Sequence, residues 1–218
     1  MSKKIVVMSV GGSLINPGQI DIGFLKRFKS FIKKSPYKFI LVCGGGKPAR
    51  EYIAGARELG LNTESQDWVG IAGTMLNAEL LRQLFKSLPV EQKPRKVNFK
   101  KVFVVSGWLP GCSTDFDAVL WAKKHGVKAV FNLSNTDYVY SKDPRKFKDA
   151  KPFRKISWRD YKKMISSKWE AGISAPFDPV ASRAAEKAGM KVFVINGQKL
   201  RELENAIQDK SFVGTVIR

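Results

Sequence analysis

The chain has 218 residues, of which 44% are hydrophobic and 27% charged, and its formal net charge is +20. Such a chain can bury one sizeable core, which favours a single large α/β domain. It contains no apolar run long enough to span a membrane, and the start at Met1 has no signal-peptide pattern. We therefore expect a cytoplasmic protein without a membrane partner, in which Cys43 and Cys112 are reduced thiols.

The positive charge favours anionic partners. Lysine and arginine outnumber aspartate and glutamate by 39 to 19, and the sequence pI is about 10.0. A field of this sign attracts nucleotides and RNA. The basic residues are spread over four stretches without the aromatic pattern of a known RNA-binding signature, at residues 26–34, 93–101, 142–155 and 162–168. Nucleic acid therefore stays open as a partner.

Short apolar runs alternate with helical patterns along the chain. Strands are predicted over residues 5–10, 39–43, 102–105, 129–133 and 191–195. Helices are predicted over residues 22–33, 49–59, 68–88, 115–125, 157–165, 181–188 and 200–207. In the long helix the residues expected to face inward are Ile71, Met75, Leu76, Leu80, Leu81 and Leu84. Residues 91–100 are predicted to form a linker or surface loop, and residues 142–155 a second excursion.

Fully apolar strands that alternate with helices indicate a mainly parallel sheet covered on both faces. Ligands of such folds bind beyond the carboxyl ends of the strands. Four loops rich in glycine or small hydroxyl residues follow predicted strand ends, at residues 11–13, 44–47, 107–111 and 134–135. We therefore expect these four loops to face one crevice.

The glycine triplet 44–46, followed by Lys47, is the strongest single signal. Residues without a Cβ let backbone N–H groups converge on an anion, and the start of the next helix adds a partial positive charge. Lys47 would add a full charge. The pattern favours a phosphate site, although a tight strand-to-helix turn also uses glycine.

These loops and several further motifs resemble, in the same order, the amino-acid kinase superfamily and within it the archaeal-type UMP kinases. The motifs are Gly11-Gly12-Ser13, residues 44–50, residues 67–71, residues 76–78, residues 110–115, residues 135–144, Asp178-Pro179 and residues 214–217. The resemblance implies a three-layer αβα sandwich forming one domain over residues 1–218. It also implies that residues 1–125, approximately, bind the acceptor and that residues 126–218 bind ATP.

The activity that the resemblance implies is ATP-dependent phosphorylation of UMP to UDP, a step of pyrimidine nucleotide synthesis, with Mg²⁺ as cofactor. The family resemblance further implies a homo-oligomer built from dimers, such as a hexamer. Its ATP contacts fall on Ser9, Val10, Gly11, Gly12, Ser13, Gly45, Arg50, Ser134, Asn135, Tyr140 and Asp143. Its substrate contacts fall on Gly44, Asp67, Leu109, Pro110, Gly111, Cys112, Ser113, Thr114 and Asp115. The catalytic residues that it implies are Lys47 and Asp178.

Several of these residues have a structural alternative. Asp67, Asp115 and Asp178 each precede or begin a predicted helix, where aspartate is a favoured N-cap. Arg50 could be a solvated helix residue, and Tyr140 could pack in the core. The single histidine, His125, lies at a predicted helix end and is interpreted as structural.

The sequence departs from the family pattern at two places. Many superfamily members have a lysine on the first strand, where this chain has Met8, Ser9 and Val10, which leaves Lys47 as the leading cation. Tyr138 replaces a glycine near the nucleotide base. If that position needs a positive φ, the tyrosine is strained by roughly 1–2 kcal/mol.

Three other functions stay open at this level. One is a superfamily kinase for an isoprenoid phosphate or an amino-acid carboxylate, although the former is expected to have a histidine beside its phosphate loop. Another is a non-catalytic nucleotide-binding or storage protein on the same scaffold. The third is an RNA-binding derivative, which the charge would suit.

Overall fold

The computed structural model describes residues 4–144, 146–165 and 176–218. The strands are β1 (Ile5–Val10), β2 (Lys38–Cys43), β3 (Val102–Val105), β4 (Ala129–Ser134), β5 (Val139–Tyr140), β6 (Pro152–Phe153), β7 (Lys155–Ile156), β8 (Lys191–Asn196) and β9 (Thr215–Ile217). The helices are α1 (Gly12–Ile15), α2 (Ile22–Lys34), α3 (Gly46–Glu58), α4 (Thr63–Phe85), α5 (Thr114–Lys124), α6 (Trp158–Met164), α7 (Pro179–Lys187) and α8 (Leu200–Ile207). The start at Met1 and the end of the basic stretch 162–168 lie outside the described residues.

Seven strands form one sheet in the order β3-β2-β1-β4-β8-β9-β7. Neighbouring strands are parallel except β8 and β9, which confirms the mainly parallel sheet. Strand β1 lies between β2 and β4, with Val10 opposite both Cys43 and Leu133. The carboxyl ends of these three strands therefore meet at one edge, where the loops that follow them are neighbours.

Side chains of β1 alternate between two buried clusters, one on each face of the sheet. Val6, Met8 and Val10 pack into a cluster with residues of α2, α4 and α8. Val7 packs into the other cluster, with Trp121 of α5 and residues of α6 and α7. Helices therefore cover both faces, and the three-layer αβα sandwich is confirmed.

Several predicted helices begin earlier than expected, and the two largest differences, in α3 and α4, affect predicted site residues. Helix α3 begins at Gly46, so the last residue of the glycine triplet is already helical. Helix α4 begins at Thr63, with Asn62 as its N-cap, rather than at Trp68. Asp67 therefore lies inside α4, and its interpretation as the N-cap of this helix is wrong.

The predicted inward face of α4 is partly wrong. Leu81 is fully buried, but Leu76 is 70% exposed and Leu80 is 37% exposed. Helix α4 is apolar on more than one side, so hydrophobic spacing alone does not identify the side that faces the sheet.

Several short elements were not predicted. They are α1 and the strands β5, β6, β7 and β9, each of two to four residues. The segment 91–100 is irregular as predicted, but it packs on the protein, because Phe99 is buried and Glu91 bridges to Val105 of β3.

Candidate active site

The loops that follow β1 and β2 are in direct backbone contact. The Gly44 N–H donates to the Val10 carbonyl at 3.0 Å, and the Lys47 N–H donates to the Asn16 carbonyl at 3.1 Å. A Cβ added to Gly12 would overlap Gly46 N and would lie 2.6 Å from the carbonyl of Gly44. Gly46 has a φ of +73°, a conformation that glycine adopts without strain. These glycines are therefore required for the two loops to touch.

Helix α4 supports both the second loop and the third loop, residues 107–113. The Asn77 amide donates to the Gly44 carbonyl at 2.8 Å. Thr74 Oγ1 accepts the Gly107 N–H at 2.8 Å, and Asp67 Oδ2 accepts the Gly111 N–H at 2.7 Å. One rigid helix thus fixes the separation of the two loops.

Between these loops lies a cavity of about 240 Å³. Its lining includes ten of the predicted site residues: Gly12, Gly44, Gly45, Arg50, Asp67, Cys112, Ser113, Thr114, Asp115 and Asp178. Gly46 and Gly107 of the predicted loops line it as well, together with residues that were not predicted to do so: Ala49, Ile53, Gly70, Ile71 and Thr74. Of these, Gly70, Ile71 and Thr74 follow Asp67 on α4. Helical spacing from Asp67 places Gly70, Ile71 and Thr74 on the same face.

The other predicted residues of the first and third loops lie beside the cavity. Ser9 and Ser13 bond to lining residues, and the Gly11 N–H donates to the Leu133 carbonyl of β4 at 3.0 Å. Val10 is buried in the core. Leu109, Pro110 and Gly111 form the tip of the third loop, which is anchored through Gly111 and Asp67.

Two carboxyl groups at the cavity are joined in one polar network. The Ser9 hydroxyl donates to Asp115 Oδ1 at 2.7 Å, and the Asp178 N–H donates to Asp115 Oδ2 at 3.4 Å. The Ser113 hydroxyl donates to Asp178 Oδ2. Burial, followed by the nearby Asp178 carboxylate, raises the pKa of Asp115 to about 7. Asp115 can therefore carry or release a proton near neutral pH.

The capping alternatives have different outcomes for these two residues. Ser113 is the N-cap of α5 and accepts the Asp115 N–H, so the interpretation of Asp115 as that cap is wrong. Asp178 is the N-cap of α7, and its Oδ1 accepts the N–H groups of Val180 and Ala181. Asp178 thus caps a helix and lines the cavity at the same time.

Arg50 and Lys47 are placed differently. Arg50 lines the cavity and donates from Nη2 to Ser13 Oγ at 3.1 Å, so it links α3 to the first loop. Lys47 Nζ lies 3.6 Å from Glu51, one turn along α3, and its side chain is 53% exposed. Arg50 is therefore the cation at the cavity wall, whereas Lys47 would have to leave Glu51 to reach a phosphate there.

The fourth loop lies at the neighbouring strand end and does not line this cavity. Ser134 Oγ accepts the Thr136 N–H, and Asn135 is exposed. The Tyr140 ring is half-buried and makes an edge contact with Tyr138 at 6.1 Å between centroids. Asp143 accepts two N–H groups of the following turn through its carbonyl. Three of the four predicted loops therefore line one cavity. The fourth loop lies outside it, at the carboxyl end of β4.

Tyr138 is not strained in the expected way. Among the described residues, the non-glycine positions with positive φ are Lys86 and Asp209. Tyr138 therefore does not have a positive φ, and the strain that would follow from one does not arise. Its ring instead lines a separate polar cavity of about 360 Å³ with Arg154, Arg201 and Phe212.

The described residues include no group of three or more histidine, cysteine or acidic side chains that could hold a metal ion. Both oxygens of Asp178 accept protein hydrogen bonds. A dedicated protein cage for Mg²⁺ does not fit these residues, whereas Mg²⁺ held mainly by nucleotide phosphates and water needs no such cage.

Comparisons with known proteins identify the family and the fold of the chain. The sequence profile of the amino acid kinase family matches residues 4–196. A uridylate kinase from Thermoplasma volcanium is 34% identical over 220 residues, covering 97% of this chain and 96% of the relative. The crystal structure of the uridylate kinase from Archaeoglobus fulgidus is 31% identical, with a TM-score of 0.72, and covers 99% of this chain and 100% of its own. A UMP kinase from Bacillus anthracis, 20% identical with a TM-score of 0.81, shares the fold over 100% of this chain and 97% of its own.

Proposed function

The chain belongs to the amino acid kinase family, and from that premise we propose that it transfers the γ-phosphoryl group of ATP to UMP, giving UDP. The observation that carries the proposal is the backbone contact between Gly12 and Gly44 at the wall of one cavity. This contact brings a loop suited to a donor phosphate within reach of a loop suited to an acceptor phosphate. The full-length uridylate kinase relatives support UMP as the acceptor.

The acceptor fits the side of the cavity formed by α4 and the third loop. Asp67 offers carboxylate oxygens to ribose hydroxyls, and one of them already holds Gly111. Ser113 and Thr114 at the start of α5 would face the monophosphate, where N–H groups of the first helical turn favour an anion. We assign residues 1–125, approximately, to acceptor binding on this basis.

The donor fits the side of the first and fourth loops. Gly11, Gly12 and Gly45 would direct N–H groups at the ATP phosphates, while Ser134, Asn135, Tyr140 and Asp143 would surround the adenosine. The Gly11 bond to Leu133 links the two groups of residues. The C-terminal part of the chain, residues 126–218, is thus assigned to ATP, with the phosphates crossing to the first loop.

Transfer of a phosphoryl group needs positioning and charge neutralisation more than covalent chemistry. Arg50 would neutralise charge on the transferring group, because it lines the cavity and is held by Ser13 of the first loop. The start of α3 at Gly46 adds the partial positive charge of a helix N-terminus. Mg²⁺ bound to ATP would supply further neutralisation. A direct role for Lys47 stays a prediction.

The test is a turnover assay with ATP, Mg²⁺ and each of UMP, CMP, dUMP, AMP and GMP. We expect UDP formation with UMP to be the most efficient reaction. Binding of ATP without phosphorylation of any monophosphate would instead indicate a non-catalytic nucleotide-binding protein. One observation already opposes an isoprenoid phosphate kinase: His125 packs between Phe99 and Trp121, with ring centroids 6.1 and 6.2 Å away, rather than beside a phosphate loop.

A homodimer is proposed as the basic assembly. The outer side of α4 presents an apolar stripe at four-residue spacing, formed by Trp68, Ala72, Leu76 and Leu80, all of them exposed. A row of this kind is inclined to the helix axis and can pack against its own copy, so a second chain whose α4 crosses the first about a two-fold axis would cover it. Light scattering should give a dimer or a multiple of it, and Leu76→Asp should release monomers. A monomeric wild-type chain would contradict the assembly but not the activity.

Among helices in the described part of the chain, none has the length and apolar composition needed to cross a membrane.

A further inference from the structure

Asp117 is a buried acid that the proposed reaction does not use. It lies in the first turn of α5 behind the third loop and is 1% exposed. Its Oδ2 accepts the Trp108 N–H at 3.2 Å. Within the described residues, its Oδ1 is buried and has no hydrogen-bond partner. One side-chain oxygen therefore holds the loop backbone, while the other lacks the contacts that a buried carboxylate anion needs.

The ionisable groups around Asp117 come from three elements. Asp115 lies on the same helix, Asp178 lies at the start of α7, and the Cys112 thiol lies in the third loop. Tyr161 of α6 interacts electrostatically with Asp115 and Asp178, and its hydroxyl donates to the Phe177 carbonyl at 2.7 Å. Burial comes first, and the Asp178 and Asp115 carboxylates add to it, in raising the pKa of Asp117 to about 8. The Asp178 and Asp115 carboxylates oppose ionisation of Asp117, and this effect together with burial outweighs the Trp108 N–H bond, which favours it.

The charge of the cavity wall makes this proton relevant to the acceptor. Asp67, Asp115 and Asp178 line the cavity, whereas Arg50 is the single lysine or arginine among the described lining residues. The phosphate of UMP is a dianion at alkaline pH. A further negative charge directly behind Trp108 would repel that phosphate through a wall with few cations.

We propose that Asp117 is a positioning residue for the acceptor and acts as an uncharged carboxylic acid. It holds Trp108, and with it the third loop, without adding a negative charge behind the phosphate. The inference rests on the proposed function, because it concerns the same acceptor site. It goes beyond that function by assigning the acceptor side its own dependence on pH.

The test compares wild type with Asp117→Asn, which keeps an oxygen for the Trp108 N–H and is neutral at every pH. The control is Asp209→Asn, which removes a charge at an exposed residue of positive φ, where asparagine fits well. kcat/KM for UMP is measured from pH 6 to pH 9.5. Asp115 titrates in all three proteins and is coupled to Asp117, so the ratio of variant to wild type reports the removal of the Asp117 charge together with its effect on Asp115.

We expect the Asp117→Asn ratio to be near one below pH 7. Above about pH 8 it should rise, by up to about tenfold per pH unit, because the protonated fraction of the wild-type Asp117 falls at that rate. The change should fall on KM for UMP, with KM for ATP unaffected. The Asp209→Asn ratio should stay near one throughout. A constant ratio for Asp117→Asn, whether near one or well below it, would mean that Asp117 is only a structural anchor and would overturn the inference.

A second measurement separates this inference from the identity of the acceptor. The carboxyl carbon of Asp117 in ¹³C-aspartate-labelled wild type is followed by NMR without substrates. A titration midpoint of about 8 for this carbon would support the uncharged carboxylic acid. A midpoint below 5 refutes it, whether or not UMP is phosphorylated and whether or not the asparagine variant folds. If UMP is inactive and another monophosphate is phosphorylated, the same ratio is measured with that acceptor.

Discussion

Replacement of Gly12 by alanine tests the contact between the first two loops. The new Cβ would overlap Gly46 N and would lie 2.6 Å from Gly44 C and O, and these are backbone atoms that cannot rotate away. Ordinary van der Waals contact begins at 3.4 Å and the new Cβ would lie 2.0 Å from Gly46 N, so the loops must separate by about 1.4 Å. A misplacement of about 1 Å at reacting groups costs about 100-fold in rate. Overpacking of this kind also destabilises the fold by about 1–3 kcal/mol.

The matched control is Gly55→Ala, in the middle of α3, where an added Cβ meets nothing within 4 Å. Alanine there should stabilise the helix by about 1 kcal/mol and leave activity unchanged. Turnover is measured with a coupled UDP assay, and stability by urea unfolding monitored by circular dichroism. Gly12→Ala should remain folded but lose about 100-fold in kcat. Wild-type turnover in folded Gly12→Ala would refute the claim that the loops must touch for transfer.

Arg50→Ala should lower kcat by about 100-fold or more, because it removes the cation at the cavity wall. Lys47→Ala should change kcat by less than about fivefold, because this lysine pairs with Glu51 at the surface. A larger loss of kcat in Lys47→Ala than in Arg50→Ala would show that Lys47 is the leading cation. Asp67→Ala should raise KM for UMP by about 10–100-fold, because it removes a buried carboxylate that accepts the Gly111 N–H. KM for ATP should change little. Equal effects on both KM values would place Asp67 outside the acceptor site. Asp117→Asn should be more stable than wild type in urea at pH 8 by about 1–3 kcal/mol, and no more stable near pH 4. Folding raises the pKa of Asp117 from 3.8 to about 8. The contribution of Asp117 to the free energy of unfolding is therefore fully present below pH 3.8 and is lost as the pH rises toward about 8. A stability difference that does not vary with pH would show that this carboxyl titrates normally.

The contact of the first two loops could be predicted from the sequence because two signals agree. Glycines at strand ends mark places without room for a Cβ, and consecutive parallel strands such as β1 and β2 are usually neighbours. The five predicted strands were confirmed for the same reason, since buried parallel strands are continuous apolar runs. The position of the cavity could therefore be predicted from the apolar strands and from the glycines at their carboxyl ends.

The role of each acid could not be decided from local sequence. Ser113, Thr114 and Asp115 are consecutive and all can cap a helix, so only the structure shows that Ser113 is the cap and that Asp115 reaches Ser9. Local sequence favours Asp67 as a cap because aspartate stands directly before the apolar pattern of α4, whereas the helix begins four residues earlier, at Thr63. Its partner Gly111 lies 44 residues away, beyond any local pattern.

The remaining differences have similar causes. Leu76 was expected inside because α4 is apolar on several sides, and only its packing shows which side faces outward. Strands such as β5 and β6 have two residues each, too few to show a periodicity. The sequence favours Lys47 as the cation near the phosphates because it follows the glycines directly. In the structure Arg50, three residues further along α3, is the one that contacts the first loop.

The most direct test of the account is a crystal structure with UMP and a non-hydrolysable ATP analogue bound together. We expect both ligands to enter the cavity of about 240 Å³ from opposite sides. An oxygen of the UMP phosphate should lie about 3–3.5 Å from the terminal phosphorus of the analogue, in line for transfer and beside Gly12, Gly44 and Arg50. Phosphates held in two separate cavities, or a UMP that does not contact Asp67 or the third loop, would contradict the account.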